Sequence, residues 1–162
     1  TIAVQNNFIN IVDLLIKNER FDPKESRLNQ AFKISKGDIS KRLISLEYFD
    51  INHVFRAKEK EEKFILQNFL TFSVEKNDSD KIDLILNHPS FNKKRSSIIG
   101  AIFMAAKKNN TDAFKKLLNL LDNDINISNE KYETITEYAQ NHSYKEINSI
   151  IEILKNSQIP ID

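Results

Sequence analysis

A chain of 162 residues, 40% of them apolar, can bury one ordinary core or one short repeat stack. Its 24 basic and 23 acidic side chains leave a net charge of +1, too little field to gather nucleic acid or anionic lipid. Cysteine is absent, which excludes disulfides, thiolate metal sites and a cysteine nucleophile.

No apolar run approaches the roughly 18 residues that span a bilayer. The opening TIAVQNNF has neither the basic end nor the apolar stretch of a signal peptide. A soluble, cytoplasmic chain without membrane association is expected, or one in the cytosol of a host cell if it is an effector. The first residue, Thr1, reads as the start of an excised segment of something larger.

Periodicity predicts helices throughout. In INIVDLLIKN, Ile11, Leu14, Leu15 and Asn18 recur at i, i+3, i+4 and i+7, so one helix face is apolar until its last turn. No segment alternates long enough to argue a strand, and two glycines with three prolines leave little turn chemistry for hairpins.

The chain repeats itself. Residues 3–22 shifted by 28 match Ala3 with Ala31, Ile11 with Ile39, Leu15 with Leu43, Ile16 with Ile44, Phe21 with Phe49 and Asp22 with Asp50. A shift of 42 then gives Ser73, Ile82, Ile85, Leu86, Phe91 and Asn92. Shifts of 32 and 34 give Ala105, Phe114, Leu117 and Leu118, then Ala139, Ile147 and Ile151. One column therefore reads Leu15, Leu43, Ile85, Leu117, Ile151. The copies fall at about 1–22, 23–50, 51–92, 93–126 and 127–156, with a tail at 157–162 in which Pro160 stops further helix.

This pattern resembles the ankyrin repeats, a family with units of about 33 residues that open on T-P-L-H-x-A and carry an I-V-x-x-L-L second helix. NFINIVDLLIKN matches that second helix. Ser26, Leu28 and Ala31 keep three places of the opening, and Thr134 and Ala139 keep two in the last copy. The endings FDP, FDIN, FN and DIN look like the start of the turn between copies. The resemblance implies an all-α, ankyrin-like helical solenoid of about five helix pairs, forming one domain over residues 1–162 with the first pair truncated. The apolar underside of that first pair is expected to be covered by something outside this segment or by a neighbouring molecule.

Where the family has a turn glycine, these copies have Asn7, Ser35, Asn77, Asn109 and Ser143. Asparagine tolerates a left-handed backbone, and Gly37 is expected to take over the turn beside Ser35. A tetratricopeptide array shares the mean spacing but requires W-x-x-L-G-x-x-Y. Tryptophan is absent and the spacing wanders from 28 to 42. The longest interval predicts extra chain within His53 to Lys63, forming a projecting finger or an extended first helix.

No catalytic constellation emerges, so neither an enzyme nor a cofactor is expected. His53, His88 and His142 read as solvated turn residues, and Glu59, Glu61 and Glu62 as a solvated charged stretch. Asp78 and Asp80 do not complete a calcium loop and read as caps of a second helix. The N-x-S/T sites at Asn77, Asn109, Asn126 and Asn141 carry little weight in an Asn-rich chain.

The resemblance implies a module that binds a protein partner on turn tips and first helices. Arg56, Lys58 and Lys60 in one turn, with Lys93, Lys94 and Arg95 in the next, make two basic tips suited to an acidic protein. Asn29, Gln30 and Lys33 on a first helix share the concave side. The alternative is a substrate-recruiting or regulatory segment of a larger multidomain enzyme or effector. Without a basic stripe interleaved with exposed aromatics, nucleic acid is not expected as a partner.

Overall fold

A computed structural model of the protein describes residues 2–22, 27–58, 64–92, 95–121, 124, 126–128 and 133–157. Among these the fold is mostly helical, with ten helices and one two-stranded hairpin. The chain divides into two compact units, one of residues 1–73 and 80–92, the other of residues 74–79 and 93–162.

The first unit begins with a short helix α1 (Ile2–Gln5), followed by α2 (Ile9–Ile16), α3 (Leu28–Ile34) and α4 (Gly37–Ile44). Helix α1 packs on α2 and α3, while α4 packs on α2 and α3. Val4, Val12, Ala31, Phe32, Ile39, Leu43 and Ile44 form their buried faces. Asp38 in the first turn of α4 and Lys41 and Arg42 in its last complement the helix dipole. Arg42 Nε also lies 3.3 Å from Asp13 Oδ1 on α2.

Strands β1 (Val54–Lys58) and β2 (Phe64–Asn68) follow, paired antiparallel with Phe55 opposite Gln67. This hairpin occupies the long interval where the sequence predicts a finger or an extended helix, and it corrects the expectation that no strand is present. Exposure alternates along β1 although residue type does not: Val54 and Arg56 are exposed, whereas Phe55 and its partner Gln67 turn inward. Phe55 stands 5.5 Å from Phe69 and 5.9 Å from Phe72, both on α5 (Phe69–Glu75). Asn68 closes β2 and opens α5 by accepting the Thr71 N–H at 2.8 Å. Phe69 sits at the hub of the cluster, with ring centroids 5.0 Å from Phe32 and 5.4 Å from Phe49. Such pairs are worth about 0.5–1.5 kcal/mol each beyond area burial.

Helix α6 (Ser79–Leu86) contributes Ile82, Ile85 and Leu86 to the core, and also Lys81, which is 3% exposed. A lysine is buried to this degree only when its ammonium is paired. Lys81 Nζ donates to Ser35 O at 2.7 Å and Lys33 O at 3.2 Å, the carbonyls left open at the C-terminus of α3. His88 is likewise no solvated turn residue. Its Nδ1 accepts the Ser90 N–H at 3.2 Å, which leaves the proton on Nε2 to donate to Ile44 O at 3.1 Å. Asn52 bonds Ser90 O and the Asn92 N–H, tying two loops together.

In the second unit, α7 (Arg95–Lys107) packs on α8 (Thr111–Asn119) and α9 (Ile135–Asn141), and α10 (Lys145–Ser157) packs on α8 and α9. Helix α7 buries Ala101, Ala105 and Ala106 together with Ile98, Ile102 and Phe103, and α8 buries Phe114, Leu117 and Leu118. Thr134 and Glu137 form a reciprocal capping box at the start of α9. The Thr134 backbone N–H, then its hydroxyl, hold the Glu137 carboxyl below its ordinary value.

The glycine-less turns follow the expected chemistry. Asn7, Asn77, Asn109 and Ser143 are left-handed, with φ of 56°, 55°, 51° and 55°. Ser35 is extended (φ −68°, ψ 158°) and Gly37 takes the left-handed conformation at φ 50°. The Ser35 hydroxyl instead bonds Phe32 O and Ser40 Oγ, both at 2.8 Å. Two turn asparagines add bonds that glycine has no side chain to make: Asn77 Oδ1 accepts from Asn110, and Asn109 Nδ2 donates to Glu146 Oε2 at 2.8 Å. That bond is the main cause of the lowered pKa of the exposed Glu146 carboxyl. Ser143 is the turn residue least suited to its backbone, so Ser143→Gly is expected to stabilise the fold by about 0.5–1 kcal/mol. A urea titration would register it, and an unchanged midpoint would show that Ser143 bears no strain.

Candidate functional site

Helix α3 carries three of the residues singled out by sequence, with Asn29 half-buried, Gln30 exposed and Lys33 half-buried. Lys33 is not a free cation reaching into solvent. Its ammonium lies 3.6 Å from the Phe55 ring centroid and 5.0 Å from that of Phe72. The helix is thereby joined to the inner face of the β1–β2 hairpin, while Arg56 stands exposed on the outer face.

Asn29 also lines a cleft of about 370 Å³ with Asp22, Arg27, Leu28, Tyr48, Phe49 and Asp50. Three segments build it. Asp22 follows Phe21 after α2, Tyr48 to Asp50 follow α4, and Arg27 leads into α3. The Phe21 and Tyr48 rings stand 6.0 Å apart. Asp50 accepts the Asn52 N–H at 3.0 Å, an Asx-turn that Asp124 and Asn126 repeat at 2.9 Å. Arg27 is left-handed at φ 54°, a conformation costing about 1 kcal/mol that recurs in proteins at ligand clamps. The cleft therefore combines two carboxylates, one guanidinium, an amide and an aromatic edge, a set rich in hydrogen-bond donors and acceptors.

Two further clefts of the first unit involve α2, α4 and α6. One of about 510 Å³ includes Lys41, Asp80, Asp83 and His88, and one of about 370 Å³ includes Ile9, Asp38 and Arg42. Among the described residues no group of three or more His, Asp and Glu stands at metal-binding spacing, and no helix is long and apolar enough to cross a membrane.

The basic residues expected on turn tips are only partly described, and Arg56 stands within β1 rather than in a turn. Lys58 ends β1, and Arg95 begins α7 in the second unit; Lys60, Lys93 and Lys94 lie outside the described residues, as do Glu59, Glu61 and Glu62. Sequence reasoning missed Asp22, Arg27, Tyr48 and Asp50. The recurring Phe-Asp ending, Phe21-Asp22 and Phe49-Asp50, marked the two aspartates, whereas nothing in the repeat pattern marked Arg27 or Tyr48. Neither a protein-family model nor a curated protein matches this chain.

Proposed function

We propose that this chain is an ankyrin-like repeat module that binds a protein partner through its turn tips and first helices. The observation carrying this reading is the recurring left-handed turn. At Asn77, Asn109 and Ser143 it is preceded four residues earlier by a buried small residue and followed eight later by a buried Ile or Leu. A helix pair built this way buries its faces on its neighbours and leaves tips and first helices for recognition.

The partner is an acidic protein segment. Arg56, Lys58 and Lys60, with Lys93, Lys94 and Arg95, steer it, and Asn29, Gln30 and Lys33 with the adjoining cleft hold it. Affinity capture with the wild-type chain and with Lys93→Glu, Lys94→Glu, Arg95→Glu combined tests this, beside a melting curve for each. Loss of the captured protein at an unchanged melting temperature is expected. Retained capture would move the site to Asn29, Gln30 and Lys33, and no capture by either chain would overturn the binding role.

A further inference from the structure

Counted from each turn residue, two sets of positions recur. The first set lies four before, four after and eight after: Ala31, Ile39 and Leu43 around Ser35, for example. The second lies three before, five after and nine after: Val4, Val12 and Ile16 around Asn7. In the first unit the two sets meet, since α1 packs on α3 and α2 on α4. Lys81, a first-set residue, likewise reaches Ser35 O and lies 5.3 Å from the ring of Phe32, a second-set residue of the preceding copy.

The first set is covered in every copy but one. Leu43, Ile85, Leu117 and Ile151 are at most 2% exposed, whereas Leu15 is 53% and Ile11 46% exposed. Beside them Leu14 is 71% and Phe8 51% exposed. This face repeats the residue types of a covered one: Ala3, Ile11 and Leu15 match Ala31, Ile39 and Leu43. The second set shows the reverse pattern. It is apolar in the first copy but reads Gln140, Asn148 and Glu152 in the last, with Gln140 and Glu152 exposed. Polar outer faces of that kind seal the end of a repeat array. The α1–α2 face is not sealed.

We infer that the Ala3–Ile11–Leu15 face seats the second set of a further helix pair of the same register. The existing interface defines the occupant's chemistry. Val4, Val12 and Ile16 lie on the helices that pack against an Ala-Ile-Leu face of identical composition, with Val4 and Val12 buried, so a pair presenting small and β-branched residues at those places fits here too. A second copy of this chain docking head to tail would bring Gln140, Asn148 and Glu152 instead, and burying that carboxylate without a partner is unfavourable.

Duplicating residues 1–28 ahead of Thr1 reproduces the native spacing of 28 and sets the duplicate's Val12 toward Leu15 of the original. Amide exchange of the original α2 is expected to slow by about tenfold or more, with a higher melting temperature. The same fusion carrying Val12→Lys in the duplicate should show neither effect. Unchanged exchange in the unmodified fusion would overturn the inference. So would sedimentation of the 162-residue chain as a dimer that Leu15→Lys dissociates, because the occupant would then be a second copy.

Discussion

Ile85→Asp is expected to cost well over about 3 kcal/mol, a large share of the roughly 5–15 kcal/mol that holds a domain together. Ile85 has no exposed surface and belongs to the column that Leu43, Leu117 and Ile151 continue. An aspartate there loses the packing of a fully buried branched side chain and buries a carboxylate one helical turn from Lys81, whose ammonium already donates to Ser35 O and Lys33 O. Thermal melting followed by circular dichroism would show a collapse or a shift of many degrees. A variant as stable as the parent would mean that the column does not line the core.

Phe69→Ala is expected to cost about 3–5 kcal/mol. Phe69 is 1% exposed and touches three elements at once, Phe32 on α3, Phe49 after α4 and Phe55 on β1. Its removal should therefore free the hairpin as well as opening a cavity. Faster amide exchange across residues 54–58 and 64–68 measures the freeing of the hairpin, and urea titration the cost of the cavity. A loss below about 1 kcal/mol would show that the neighbouring rings close over the gap.

Much of the helical skeleton was legible because it rests on local rules. Asn7, Asn77 and Asn109 stand where only glycine or asparagine turns left-handed cheaply, and Leu43, Ile85, Leu117 and Ile151 recur at one place in the copies. The hairpin was not legible, because FILQN is a continuous run without alternation and EKEEK contains no glycine or asparagine to announce a turn. Lys81 was hidden for a different reason. It occupies a column otherwise filled by Ile11, Ile39, Ala113 and Ile147, and only the open carbonyls of α3 explain a charge there. His88 and the cleft of Asp22, Arg27, Tyr48 and Asp50 depend on segments far apart in sequence, and no window along the chain brings them together.

The bond from Asn109 to Glu146 also exposes the fold to chemical ageing. Asparagine is among the thermolabile residues, and hydrolysis of its side-chain amide converts a donor into a carboxylate. At Asn109 that change would set a second negative charge where the Glu146 carboxylate now accepts a hydrogen bond at 2.8 Å. A tie between the α7–α8 turn and α10 would become a repulsion, easing with salt and with acid. The asparagine that replaces glycine in this turn thus gives the second unit a side-chain bond whose sign reverses with a single hydrolysis.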